Sequence, residues 1–122
     1  MVREGEQSIY FDVDRPIPYM SMLGFTRPAW RGSLAAVTHV DGSARLQTVN
    51  GEQNTLLWSL LGEVKRLTGI GVLLNTSFNG KGEPMITEIS DALRLMDQSG
   101  IDAVYCEGWL FEKPACACLP TT

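Results

Sequence analysis

The sequence lacks the features that announce several protein classes. Its three cysteines, Cys106, Cys116 and Cys118, are an odd count, unlike the even framework of a small secreted disulfide scaffold. Cys116 and Cys118 form a C-x-C near the end of the chain. With a single histidine, His39, they fall short of a four-ligand zinc site, so reduced thiols on a flexible tail and no bound metal are expected. Basic residues are scarce: 10 Lys and Arg against 14 Asp and Glu leave a net charge of -4, without the clustered cations of a nucleic-acid surface. There is no run of eighteen apolar residues to span a membrane. Residues 1–20 carry Glu4, Glu6, Asp12 and Asp14 instead of the apolar stretch of a signal peptide. These absences predict a soluble, cytoplasmic domain with no nucleic-acid or membrane partner.

What is present is ordinary globular material. The 122 residues are 44% hydrophobic and 20% charged, enough for one domain with a real core. Residues 1–34 read as an irregular N-terminal segment, punctuated by Pro16, Pro18, Pro28, Gly24 and Gly32 and anchored by Tyr10-Phe11 and Tyr19-Met20. Residues 35–113 read as an α/β core and 114–122 as a flexible tail.

Within that core, 35–40 and 43–49 flank Asp41-Gly42, a short-range hairpin signal. A two-residue loop would place Val37, His39, Ala44 and Leu46 on a core face and Thr38, Arg45 and Gln47 on a polar one. His39 then reads as a hydrogen-bonded core histidine and Asp41 as a turn residue. Leu56, Leu57, Leu60, Leu61, Val64 and Leu67 recur at helical spacing over 53–68, with Asn54 or Thr55 to cap the start and Gly69 to end it. Ile70 to Leu74 is an apolar run of buried-strand length. A second helix is expected over 88–98, capped by Thr87, burying Ile89, Leu93 and Met96 and stopped by Gly100. Strands at 101–105 and 109–112 would turn at Gly108. The order β-β-α-β-α-β-β predicts an α/β layer domain with some parallel pairing and both helices on one sheet.

The stretch most suggestive of chemistry is LLNTSFNGKGEP, residues 73–84. Loops leaving the carboxyl ends of strands are where α/β proteins hold ligands. Asn75, Thr76, Ser77 and Asn79 are compact hydrogen-bonding groups, Lys81 adds a cation, and Gly80 and Gly82 let the backbone approach a ligand. The same residues also make an ordinary turn. The spacing is not that of a Walker A loop. Glu83 is placed to pair with Lys81 or Arg45. Trp30, Trp58 and Trp109 read as packing residues, with one of them a candidate border for an adenine pocket.

VTHVDGSARLQTV (37–49), GVLLNTSFNGKGEP (71–84) and the following Thr87-Glu88-Ile89-Ser90-Asp91-Ala92 together resemble the C-terminal domain of the carbamoyltransferases, the nodulation and antibiotic O-carbamoyltransferase type, across roughly residues 9–113. The resemblance implies a YrdC-like open twisted mixed sheet with helices packed on it, here as a partial domain. It implies an enzyme that activates carbamoyl phosphate with ATP, with Mg expected, to give a carbamoyladenylate. An N-terminal Kae1-like domain, holding its own metal through histidines, would pass the carbamoyl group to a hydroxyl. Arg45 matches the arginine of the first motif, and Asn75, Thr76, Ser77, Asn79 and Lys81 match the loop that lines the pocket. Arg45 and Lys81 are therefore the expected catalytic cations. Asn75, Thr76, Ser77 and Asn79 are the expected binding residues, and His39, Asp41 and Glu83 supporting ones.

The chain departs from the family pattern at its start. The basic G-x-R-A-L-G-x-R-S and I-K-x-R-x-x-F-R-P-F-A-P stretches are missing, as is the transfer domain. Two expectations follow: a C-terminal piece of a longer enzyme, or an inactive stand-alone domain that binds a nucleotide, a phosphate or a partner. Missing sheet neighbours would leave an apolar surface for a homodimer or companion chain to cover.

Overall fold

The computed structural model describes residues 1–114; Cys116, Cys118 and the expected tail from residue 115 lie outside the described residues. The chain is mixed α/β and divides into two compact units, Met1–Asn75 and the chain from Thr76 onward. Among the described residues the strands form three two-stranded sheets instead of one open sheet, and no helix is long and apolar enough to cross a membrane.

The first unit draws much of its core from residues 1–34. The strand β1 (Val2–Arg3) and the single turn α1 (Gln7–Tyr10) are followed by β2 (Leu23–Phe25). Val2, Tyr10, Phe11, Ile17 and Leu34 are buried together with Ala44 and Leu46. Tyr10 and Phe11 thus anchor the segment as expected, whereas Tyr19 is 83% exposed.

The hairpin expected across Asp41-Gly42 does not form. Ala35–Val37 is a 3-10 turn, and the Thr38 hydroxyl donates back to the Leu34 carbonyl at 2.8 Å. Two alanines have little strand preference, and this local bond gives the backbone an alternative. The strand β3 (Ser43–Arg45) pairs instead with β2, antiparallel, Leu23 opposite Arg45 and Phe25 opposite Ser43. Gly24 permits this packing: a Cβ there would fall 2.5 Å from a Val13 methyl and 2.8 Å from Leu46. The next strand, β4 (Thr48–Val49), runs parallel to β1. Buried Thr48 accepts from the Ile17 N–H through its hydroxyl and donates its own N–H to the Ile17 carbonyl.

The helix α2 (Thr55–Thr68) forms where the leucine spacing predicts it. The Asn54 side chain accepts from the Leu57 N–H at 3.0 Å, and Gly69 ends the helix at φ +80°. Its seating differs from expectation. Of the stripe, only Leu61 is buried; Leu56 and Leu67 are 70% and 72% exposed. The helix instead docks through its polar and small side. Arg3 Nε donates to the Trp58 carbonyl at 2.7 Å, and its guanidinium lies 4.7 Å from the Trp58 ring centroid. Lys65 pairs with Glu6 at 3.1 Å. A Cβ at Gly62 would fall 1.9 Å from Arg3 Nη2, so glycine makes room for this arginine. Gly62→Ala is therefore expected to displace Arg3 and destabilise the chain by about 1–2 kcal/mol, overpacking outweighing the helix-propensity gain of up to about 1 kcal/mol. Urea unfolding followed by far-UV circular dichroism checks this; a variant as stable as the parent would show the latch to be energetically idle.

The 70–74 run is not a central buried strand. Its only ladder contact is a bridge between Val72 and Val2; Ile70 and Val72 pack partly on the core, and Leu74 is exposed. Val2 is already flanked by β4, so this short edge is all that remains for the run to pair with.

In the second unit, α3 (Ile89–Gln98) starts one residue later than expected, with Glu88, not Thr87, at the cap and no side-chain cap bond. It buries Ala92 and Met96 with Leu93 packed alongside, while Ile89 is partly exposed. The strands β5 (Ala103–Cys106) and β6 (Trp109–Glu112) form the expected hairpin. Its turn residues Glu107 and Gly108 both take positive φ, +48° and +90°, as a tight hairpin with native twist requires. Lys113 closes the unit by donating Nζ to the Ser99 carbonyl just beyond α3 at 2.6 Å, a cation where the helix dipole is negative.

Candidate functional site

The site is built around Arg45 in the first unit. The strand β3 and the residue after it bury Ala44 and Leu46 and turn Arg45, between them, outward. This agrees with the polar-face placement expected for it, although the partner strand is a different one. Arg45 Nε donates to the Met20 carbonyl at 3.0 Å. The guanidinium is thereby anchored along one edge, and it makes no ion pair among the described residues despite the excess of acids. An anchored guanidinium has lost part of its rotamer freedom before any ligand arrives, and its fork suits phosphate or carboxylate oxygens. Met20 is left-handed at φ +53°, a conformation non-glycine residues rarely take.

Asn75 comes to the same place. Its Nδ2 donates to Gln47 Oε1 at 2.6 Å and lies 3.5 Å from the Met20 sulfur. Gln47 Nε2 in turn donates to the Pro18 carbonyl at 3.0 Å. The first residue of the polar loop and the β3 arginine thus converge on the 18–20 turn. Sequence reasoning placed Met20 only as an apolar anchor and Gln47 only as a surface neighbour. A signal for Gln47 existed, since it stands two residues after Arg45 and shares that strand's outward face; nothing in the sequence marks the backbone of Met20.

His39 is exposed and is not a core histidine, because the strand that would have turned it inward does not form. Only its backbone is engaged, donating to the Ser43 carbonyl at 2.7 Å and accepting from Gly42. Asp41 does serve the turn. Its Oδ1 accepts from the Ser43 hydroxyl at 2.7 Å and the Ser43 N–H at 2.9 Å, which holds its carboxyl below the usual aspartate range. Gly42 is required there: φ is +85°, and the Arg31 guanidinium lies where a Cβ would be 3.0 Å away.

The other loop residues belong to the second unit. Thr76, Ser77 and Lys81 are exposed, and Lys81 has no ion-pair partner among the described residues. The Asn79 side chain bonds inward, donating to the carbonyls of Gly80 and Glu83 at 3.1 and 3.2 Å. Glu83 pairs with Arg94 at 3.6 Å, not with Lys81 or Arg45, since Arg94 on α3 is the cation its loop turns toward. Its carboxylate lies over Gly80, where a Cβ would fall 2.7 Å away.

Of the three tryptophans, Trp58 borders a cleft, with the Arg3 guanidinium over its ring. Trp30 packs edge-on against Tyr10 at 5.0 Å, and Trp58 lies between Arg3 and the Gly51 backbone, beside an open cleft of about 490 Å³ lined by Glu4, Asn50, Gly51 and Glu52. Trp109 is exposed on β6 instead of packed. No group of three His, Cys, Asp or Glu side chains converges among the described residues.

Fold and site together define a mixed α/β chain that presents an anchored arginine and Asn75 on one turn. The family described as carbamoyltransferase C-terminus matches residues 1–113, and the chain belongs to that family. It is 35% identical over 113 residues to the nodulation protein NolO of Bradyrhizobium diazoefficiens, covering 90% of this chain and 21% of that protein. It is 42% identical over 103 residues to nodulation protein U of Rhizobium tropici, covering 84% and 17%. It is 43% identical over 100 residues to 3'-hydroxymethylcephem-O-carbamoyltransferase of Amycolatopsis lactamdurans, covering 81% and 19%. The chain therefore spans about a fifth of the length of these relatives.

Proposed function

We propose that this chain contributes the carbamoyl phosphate and nucleotide pocket of an ATP-dependent carbamoyltransferase, as part of a YrdC-like domain in a cytoplasmic enzyme. The observation that carries this reading is the anchored, unpaired Arg45 guanidinium with Asn75 drawn to the same turn. In the reaction, water cleaves carbamoyl phosphate to carbamate and inorganic phosphate, and a carbamate oxygen then bonds to the α-phosphorus of ATP as pyrophosphate leaves, giving the carbamoyladenylate. Negative charge concentrates on phosphoryl oxygens, and fixed cations and donors are what lower that barrier. Arg45 holds the phosphate and Asn75 orients the carbamoyl group. The expected Mg²⁺ enters on the nucleotide's own phosphates. Transfer to the acceptor hydroxyl falls to a Kae1-like domain with its own metal. That division of labour matches the family membership and the fifth of relatives' length that this chain spans. Thermal unfolding with ATP and carbamoyl phosphate tests the proposal. Ligand at about 100 times its dissociation constant adds about 2.7 kcal/mol, and an unmoved transition at millimolar ligand would refute it.

A second reading, a partner-docking chain without chemistry of its own, is favoured by the exposed leucines of α2. Leu56, Leu60 and Leu67 lie along one side of the helix at spacings of four and seven residues. In that reading the chain self-associates through this stripe. Sedimentation should then show a dimer that Leu60→Glu converts to monomer with no loss of helical content; a monomeric parent at tens of micromolar would dismiss it.

A further inference from the structure

We infer that Gln47 is a positioning residue that sets which group Asn75 offers the ligand, and so determines selectivity for a carbamoyl over an acetyl group. The inference rests on the proposed carbamoyl phosphate pocket. It follows from hydrogen-bond polarity, which propagates from a main-chain carbonyl.

The Pro18 carbonyl can only accept, so the end of the Gln47 carboxamide that meets it at 3.0 Å must be the NH₂. The oxygen of Gln47 is then committed to the opposite side, where Asn75 lies 2.6 Å away. Against an acceptor, Asn75 can present only its own NH₂. The orientation of the second amide is thus decided by the first and not left to rotation about χ2. The Met20 sulfur, an acceptor 3.5 Å from the same nitrogen, reinforces this choice. Asn75 Oδ1 is left over. It accepts no hydrogen bond among the described residues, and Asn75 is exposed, so an acceptor is held beside the turn that anchors the Arg45 guanidinium.

An acceptor and a guanidinium fork held on one turn match a molecule that carries both an NH₂ donor and a phosphate. Carbamoyl phosphate is such a molecule. Acetyl phosphate has nearly the same shape and charge but a methyl group in place of the NH₂, and would leave the Asn75 oxygen without its donor. Sites built to hydrogen-bond a ligand group discriminate against the analogue lacking it because their own polar atoms are stranded. Gln47 touches neither the phosphate nor the carbamoyl group; it acts through Asn75.

The test compares the dissociation constants of carbamoyl phosphate and acetyl phosphate, by titration calorimetry on the full chain, for the parent, Gln47→Leu and Arg45→Ala. The parent should prefer carbamoyl phosphate by about tenfold, the worth of one hydrogen bond. Gln47→Leu keeps a branched side chain of similar bulk without the amide, so it frees Asn75 to rotate and should erase the preference while acetyl phosphate binds as before. Arg45→Ala should weaken both ligands together. Asn75→Ala, at an exposed position, gives the same loss of preference should Gln47→Leu fail to fold. A parent that binds both phosphates equally, or a Gln47→Leu chain that keeps the tenfold ratio, overturns the role of Gln47 and leaves the pocket standing. A parent that binds neither overturns the pocket itself, and the selectivity with it.

Discussion

Arg45→Ala should remove most of the thermal stabilisation that carbamoyl phosphate confers, weakening binding by roughly 10- to 100-fold, the span expected for a charged hydrogen-bond pair. The fold should tolerate the change, because Arg45 faces solvent and its one side-chain hydrogen bond among the described residues is a surface bond to the Met20 carbonyl. Arg45→Lys should recover only part of the loss. A lysine ammonium can reach a phosphate, but it has no Nε–H to lean on Met20 while a separate pair of nitrogens faces the ligand. Calorimetric titration of the three chains under one salt condition checks the order Arg, Lys, Ala. Equal affinity in all three would place the phosphate elsewhere.

Tyr10→Ala should cost about 3–5 kcal/mol of stability, the range for deleting a buried aromatic side chain. Against the 5–15 kcal/mol typical of a folded domain, that is enough to leave the first unit marginal. The ring is 1% exposed, meets Trp30 edge-on at 5.0 Å and Phe11 at 6.4 Å, and its hydroxyl accepts from the buried Gly71 N–H at 2.9 Å. Tyr10→Phe keeps the aromatic contacts and strands that N–H, so a smaller loss of about 1–3 kcal/mol is expected. Urea midpoints for the two variants separate ring packing from the hydrogen bond. If Phe proved as damaging as Ala, the hydroxyl would carry the stability and not the ring.

The elements legible in the sequence are those whose causes are local. The helix α2 has its Asn54 cap, its leucine spacing and its Gly69 stop within one short stretch, and the β5–β6 hairpin has its turn at Glu107-Gly108. Pairings between distant segments were not legible. Asp41-Gly42 is a turn, as expected, but the strand after it pairs with residues 23–25, which sequence reasoning left irregular because prolines and glycines surround them. One of those glycines, Gly24, is what lets the strand seat against Val13 and Leu46. That one substituted partner also moved His39 from the expected core to the surface. The face that α2 buries was hidden for a related reason: periodicity marks the leucines, whereas the contacts that hold the helix come from Arg3 and Glu6 some fifty residues earlier. At the site, the arginine and the Asn75 loop were readable from motif and residue type. Their meeting at Met20 was not, because it depends on a backbone angle and a main-chain carbonyl, which have no residue code.

The seat of Arg3 constrains how this sequence can drift. Its guanidinium serves as a flat spacer between an indole ring and a helix backbone bared at Gly62, with one nitrogen committed to the Trp58 carbonyl. A lysine there would preserve every tally of charge and hydropathy yet fill that slot with a round, heavily hydrated head. Changes at positions 3 and 62 are consequently coupled, and an exchange that substitution tables score as mild would be felt at the docking of the longest helix.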